Sequence, residues 1–452
     1  MKKSLIYMSA VFALTSCLKT EFEPRERTSG SADFSNYVAV GNSLTQGYQD
    51  GGVHNELGQQ EHSFPALLAM QMAKVDANAG SFEQPLVTGD GAGYKKLTAL
   101  DPVAGPTIVD VAPDASWSSW GNTSLKYNNL GISGIRLIDV IGRDLSERAI
   151  NHYIFAGNAL IPGWDGQNGS PINPYGRFLD WGSDPLLFGT PIEYIDHIRN
   201  SKATFFTCWL GNNDVLGWAT AGGITNVINI PLVGDIVVSR LTPENEFREK
   251  YDSVLTVFKN MGAKGVVATL PDVASIPFFN TINLETYAIK TTMEANNLTD
   301  FWIEDSTGTV RPLVDGKDLI LLTATDTIAA GYGFSPLQPL PNAYVLDEGE
   351  VNRVRAHTQA LNNIIKNLAS NYGFGVVDMY SFLGTLKSGY TFNGVDFSAS
   401  YIEGGAFSLD GVHPNTKGYA IVANEFIRVI NEKYGSTIPP VDVNAYNGII
   451  FP

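Results

Sequence analysis

Short apolar runs bounded by glycine or proline recur along this chain at 37–40, 127–130, 203–210, 265–270 and 375–379, with helical patterns between them. That alternation favours a parallel sheet covered by helices on both faces. Three helices carry clear end signals. The first has Thr242 as N-cap and Pro243 in the first position, an apolar stripe through Phe247, Tyr251, Val254, Leu255 and Phe258, and a stop at Gly262. The second starts at Asp347 and ends before Gly373; the third covers 416–434, with Ala420, Ile421, Phe426 and Ile430 turned inward. Helix followed by strand occurs twice, as in right-handed βαβ units. Segments 75–124, 140–200 and 280–346 are too long for ordinary connections and read as insertions over the carboxyl edge of the sheet, where α/β proteins bind ligands.

Four separated motifs supply the parts for acyl transfer to serine. Gly41-Asn42-Ser43-Leu44 follows the first run and puts Ser43 at a strand-to-helix junction, where its N–H faces a place that welcomes anions. Asp410-Gly411-Val412-His413-Pro414 offers His413 as general base. Asp410, three residues earlier, would accept its Nδ1 hydrogen, and Gly411 permits the turn that presents both. Developing oxyanion charge needs fixed donors, and the candidates are the N–H groups of Ser43 and Gly134 with the side-chain amide of Asn213. Gly134 closes Asn129-Leu130-Gly131-Ile132-Ser133-Gly134, and Asn213 lies in Gly211-Asn212-Asn213-Asp214 after the third run. Each motif alone has an ordinary structural reading, as a helix cap or a turn.

Together these blocks resemble those of the SGNH, or GDSL, hydrolases, a superfamily of esterases and lipases. Phe64-Pro65-Ala66-Leu67-Leu68 and Leu270-Pro271-Asp272-Val273 agree as well, while the insertions are unmatched. The resemblance implies a flavodoxin-like three-layer α/β/α fold with a five-stranded parallel sheet. It also implies a serine esterase or lipase that forms an acyl-enzyme without metal or organic cofactor. Ser43 would then be the nucleophile, His413 the base, Asp410 its orienter, and Ser43, Gly134 and Asn213 the oxyanion hole. Asn42 stands where the family has aspartate, which removes a charge and implies altered loop support or pH dependence. Substrate is open among lipid esters, short acyl esters and acylated carbohydrate. A noncatalytic glycan- or lipid-binding protein on the same scaffold is the alternative.

The N-terminus bears on location. Met1-Lys2-Lys3 is basic, residues 5–14 are apolar but too short to span a bilayer, and Leu14-Thr15-Ser16-Cys17 resembles a bacterial lipobox with Cys17 lipidated. Residues 1–17 would be the signal peptide and 18–35 a flexible tether, whose acidic start resembles the export signals of Bacteroidetes surface lipoproteins. The expected partners are an ester substrate and, through this lipid anchor, the outer membrane. The hydrolase domain is expected over 36–436, with 437–452 as a C-terminal tail. A formal charge of −16 argues against nucleic acid and anionic lipid as binding surfaces. With Cys17 acylated, Cys208 has no disulfide partner and reads as a buried small hydrophobe.

Among the histidines, His54 and His62 are expected to be exposed, and the spacing of His152, His197 and His357 makes no zinc site. Trp117, Trp120, Trp164 and Trp181 in the insertions are candidates for substrate stacking, with loop packing as the commoner role.

Overall fold

The computed structural model describes residues 26–101, 105–158, 169–187, 189–230 and 234–452. Residues 1–17, expected to be a signal peptide ending at Cys17, therefore lie outside the described residues, as does Trp164. Four parallel strands, β1 (Tyr37–Gly41), β2 (Phe205–Trp209), β3 (Lys264–Ala268) and β4 (Gly375–Val377), lie side by side in that order. The expected fifth strand at 127–130 is reduced to one parallel bridge, Ala39 to Asn129, on the other edge of β1. Asn side chains explain the truncation. The Asn129 carboxamide accepts from Gly131 N at 2.9 Å and donates to the Thr45 carbonyl at 2.8 Å, a local turn that competes with a ladder.

Alternation along β2 sets the layers. Phe205 and Trp209 face one side, where Trp209 meets Phe64 of α2 (Phe64–Met72) and Phe426 of α8 (Thr416–Tyr434). Phe206 faces the other and stacks at 3.8 Å on Phe258 of α6 (Glu244–Met261), which packs on α7 (Glu348–Tyr372). The result is the three-layer α/β/α arrangement, with helices burying both faces of the sheet. Helix ends follow local chemistry. Asp347 and Glu350 form a capping box at the start of α7, and Asn415 caps α8 by accepting from Gly418 N. Pro243 takes the cap position of α6 instead of Thr242, because the Thr242 hydroxyl donates to Asp214 Oδ1 at 2.7 Å.

The long insertions are structured. Segment 75–124 holds an antiparallel hairpin, Tyr94–Asp101 with Gly105–Val111, and 140–200 holds α3 (Leu145–Ala156) and α4 (Tyr194–Ser201). Segment 280–346 builds its own small core from Ile289, Phe301, Ile303, Ile320, Leu340 and Val345. A further hairpin, Asn226–Ile230 with Gly234–Ser239, follows α5 (Asn213–Thr220) and has no counterpart in the sequence reading.

Residues 26–35, expected to belong to a flexible tether, are docked: Ser31 N donates to the Tyr434 carbonyl, and Phe34 is buried against Phe205. Residues 437–452 begin equally bound, with Ile438, Val441 and Val443 in the core. Among the described residues no helix is long and apolar enough to cross a membrane.

Candidate active site

Ser43 opens α1 (Ser43–Gln46) directly after β1. Asn42, wholly buried, caps this short helix by accepting from Leu44 N at 3.1 Å, and its Nδ2 has no hydrogen-bond partner. Gly41 makes the junction possible, since a Cβ there would collide with the Thr45 side chain and lie 3.0 Å from the Trp209 carbonyl.

The C-terminal loop meets this junction from 370 residues away. His413 Nε2 lies 2.8 Å from Ser43 Oγ, and His413 Nδ1 lies 2.7 Å from Asp410 Oδ2. The Asp410 carboxylate collects further donors: Ser408 Oγ, Val412 N and His413 N on Oδ1 at 3.0, 2.8 and 2.9 Å, and Gly51 N on Oδ2 at 3.2 Å. Burial would raise its pKa, but attraction to His413 and these bonds outweigh burial, so the carboxyl titrates below its ordinary range. Gly411 carries the turn at φ +70°, with no room for a larger residue beside Phe278 N.

Three groups near Ser43, His413 and Asp410 were not singled out from sequence. Tyr48 packs at a tilt of 45° against the His413 ring, with centroids 4.6 Å apart. Ser408 Oγ, besides bonding Asp410, accepts from Asp50 N at 2.9 Å; the Asp50 carboxylate in turn accepts from Leu409 N at 2.8 Å. Asp50 sits at φ +55°, the left-handed region that aspartate tolerates. These side chains fix the 408–414 loop through distant partners, so their spacing carries no local signal.

Gly134 and Asn213 line one cavity of about 250 Å³. Gly134 takes φ +81°, and the loop before it is fastened to α1 because Gln46 Oε1 accepts from both Ser133 N and Ser133 Oγ. Asn213 begins α5 and spends one amide hydrogen on the Ile135 carbonyl at 2.9 Å, leaving the other. The main-chain N–H groups of Ser43 and Gly134 have no acceptor among the described residues. Asp214 clamps the same corner by accepting from Leu137 N and Thr242 Oγ1, each at 2.7 Å; burial pushes its pKa up to about 6. A larger cavity, about 450 Å³, lies beyond Asp50 and Leu409; Ser43 and His413 line neither cavity, and of the two the smaller is the one that includes Gly134 and Asn213.

His54 departs from expectation. It is buried, stacked on Tyr94 at 4.2 Å with Asp50 3.5 Å from its Nε2, because the Tyr94 hairpin folds over it. His62 is half-buried against Tyr446. His152, His197 and His357 each bond a backbone carbonyl, and among the described residues no cluster of three ligating side chains could hold a metal. Trp117 and Trp120 stack on each other, and Trp181 on Phe155, which is loop packing. Cys208 is buried and free, its thiol pushed up to about 12 by burial.

Chemically, a hydroxyl, an imidazole and a carboxylate in hydrogen-bonded series can move a proton off the hydroxyl, and unpaired amides nearby can receive the charge that forms. A family model described as GDSL-like Lipase/Acylhydrolase matches residues 37–426. No curated protein matches the sequence. Similar solved structures include LAE5, an α/β hydrolase from the metagenome of Lake Arreo, Spain, at 13% identity and TM-score 0.36, covering 88% of this chain and 96% of that one. A GDSL-like lipase from Parabacteroides merdae is 12% identical with TM-score 0.34, covering 90% and 99%. A mutant acetyl-xylooligosaccharide esterase from Geobacillus Stearmophilus is 12% identical with TM-score 0.32, covering 90% and 96%.

Proposed function

The chain belongs to the GDSL-like lipase/acylhydrolase family, and from that premise we propose that it is a serine-dependent carboxylic ester hydrolase. One observation carries the reading: the unbroken series Asp410, His413, Ser43, with links of 2.7 and 2.8 Å, beside main-chain N–H groups of Ser43 and Gly134 that have no acceptor among the described residues. Ser43 Oγ attacks the ester carbonyl while His413 Nε2 takes its proton, and Asp410 holds the ring in the tautomer whose Nε2 is free. The carbonyl oxygen becomes an oxyanion held by Ser43 N, Gly134 N and Asn213 Nδ2. Loss of one such donor typically costs about 3 to 4 kcal/mol in the transition state. The intermediate collapses to acyl-Ser43 as His413 returns the proton to the departing alkoxide, which leaves as alcohol. Water, deprotonated by the same nitrogen, then releases the carboxylic acid and restores Ser43.

Hydrolysis of p-nitrophenyl butyrate tests this. Wild type should turn over with a burst of phenolate, and Ser43→Ala should lose activity while keeping its circular dichroism spectrum. A folded Ser43→Ala as active as wild type would reject the assignment.

Location is a separate proposal. Cys17 in its lipobox would carry the lipid that tethers the domain to the outer membrane, facing the periplasm or the exterior. Incorporation of labelled palmitate that disappears in Cys17→Ser supports it, and an unlabelled wild type refutes it.

A further inference from the structure

Asn213 and Gly217 are four residues apart on α5 and so share one face of the helix. Glycine inside a helix is destabilising relative to alanine. Nothing in the backbone demands it here: Gly217 has no positive φ, and a Cβ added to it would meet only the Val238 carbonyl, at 3.8 Å. What the missing side chain leaves is space, and that space belongs to the cavity that Gly134 and Asn213 also line. The apolar walls come from segments outside the four sequence motifs, with Ile154 on α3, Ile172, and Ile228, Ile236 and Val238 on the 226–239 hairpin.

Two charged residues reach the cavity, and both are already occupied. Arg136 bonds Asp139 through Nε and Nη2 at 3.0 and 2.8 Å, while its Nη1 donates to the Val237 carbonyl. No free charge is left for a carboxylate or phosphate, so the cavity suits a neutral aliphatic group. Its 250 Å³ corresponds to roughly eight groups of the size of water at about 30 Å³ each. An acetyl group would leave most of it empty, and a palmitoyl chain would overrun it.

We propose that this cavity is the acyl pocket and that it selects neutral aliphatic acyl groups of about four to eight carbons. The proposal rests on the hydrolase reading above and adds the substrate class. Gly217 is a specificity-determining position within it, kept small so that the chain can pass along α5 next to the oxyanion donors.

The experiment measures kcat/KM of the full chain for p-nitrophenyl acetate, butyrate, octanoate and palmitate. At about fourfold for each buried methylene, wild type should favour butyrate or octanoate over acetate by at least tenfold and should disfavour palmitate. Gly217→Leu should lower the octanoate-to-acetate ratio at least tenfold. Gly217→Ala should lower it less, and Val238→Phe provides the same readout from the opposite wall if the leucine variant does not fold. A wild type that prefers acetate, or filling variants that leave the ratio unchanged while esters are still hydrolysed, overturns the pocket and spares the hydrolase. A folded wild type that cleaves none of the four esters and resists fluorophosphonate overturns both.

Discussion

Asp410→Asn is the substitution whose outcome the geometry specifies most closely. Three donors converge on Oδ1, from Ser408, Val412 and His413 N, whereas Oδ2 receives His413 Nδ1 and the longer bond from Gly51 N. An asparagine must turn its NH2 toward one of these sets. The smaller clash places it on the Oδ2 side, where it donates to His413 Nδ1 and drives the ring proton to Nε2. That nitrogen then cannot accept from Ser43. The expected loss is about 10⁴-fold in kcat, or about 5.5 kcal/mol of barrier, with KM little changed. Gly51 N loses its acceptor, at a stability cost of about 1 to 3 kcal/mol. Steady-state hydrolysis of p-nitrophenyl butyrate, alongside thermal unfolding, separates the two effects. A folded variant retaining more than a tenth of wild-type kcat would refute the tautomer argument.

Other expectations follow from the same contacts. Asn213→Ala should lower kcat about 10²- to 10³-fold with a smaller effect on KM, and a folded variant with wild-type kcat would show that the amide is not acting on an oxyanion. Ser408→Ala removes a donor to Asp410 and an acceptor for Asp50 N, so kcat should fall while Ser43 can still be labelled; undiminished kcat argues against that support. Asp214 has its pKa raised from 3.8 to about 6 by burial, so the folded state holds a proton there that the unfolded state has released. Its contribution to stability therefore falls as pH rises from about 4 to 6, by about 3 kcal/mol, and stays low above that. Asp410, titrating below its ordinary range, acts in the opposite sense: its stabilisation is present above pH 4 and lost as the carboxylate protonates in stronger acid. Melting curves of Asp214→Asn between pH 4 and 8 should lack the Asp214 component; parallel wild-type and variant profiles would contradict it. Asn42→Asp adds a buried carboxyl at the α1 cap and should introduce a new acidic limb into the pH profile of kcat, which an unchanged profile would disprove.

The parts of this protein legible in its sequence are those held by local chemistry. Ser43 sits at a strand-to-helix turn that only a glycine at 41 allows, and His413 and Asp410 share one tight turn around Gly411, so short motifs report them. Gly262 and Gly373 end their helices in the left-handed conformation, as their positions after apolar stripes imply. What was not legible depends on partners far away in sequence. The fifth strand shrank to one bridge because Asn129 bonds the 45 and 131 backbones. His54 is buried under a hairpin rather than exposed. Residues 26–35 look like a tether by composition, but docking on the end of α8 orders them. Gly217 has the character of an ordinary helix blemish until the 226–239 hairpin is folded over it.

The central claim is that the hydroxyl of Ser43 is the activated nucleophile of this chain. Treatment with a fluorophosphonate followed by peptide mapping addresses it directly. One adduct per chain on the peptide containing Ser43, absent in Ser43→Ala and formed far more slowly in His413→Ala, is the predicted result. A folded wild type that stays unmodified, or that carries the adduct on a different serine, would contradict it.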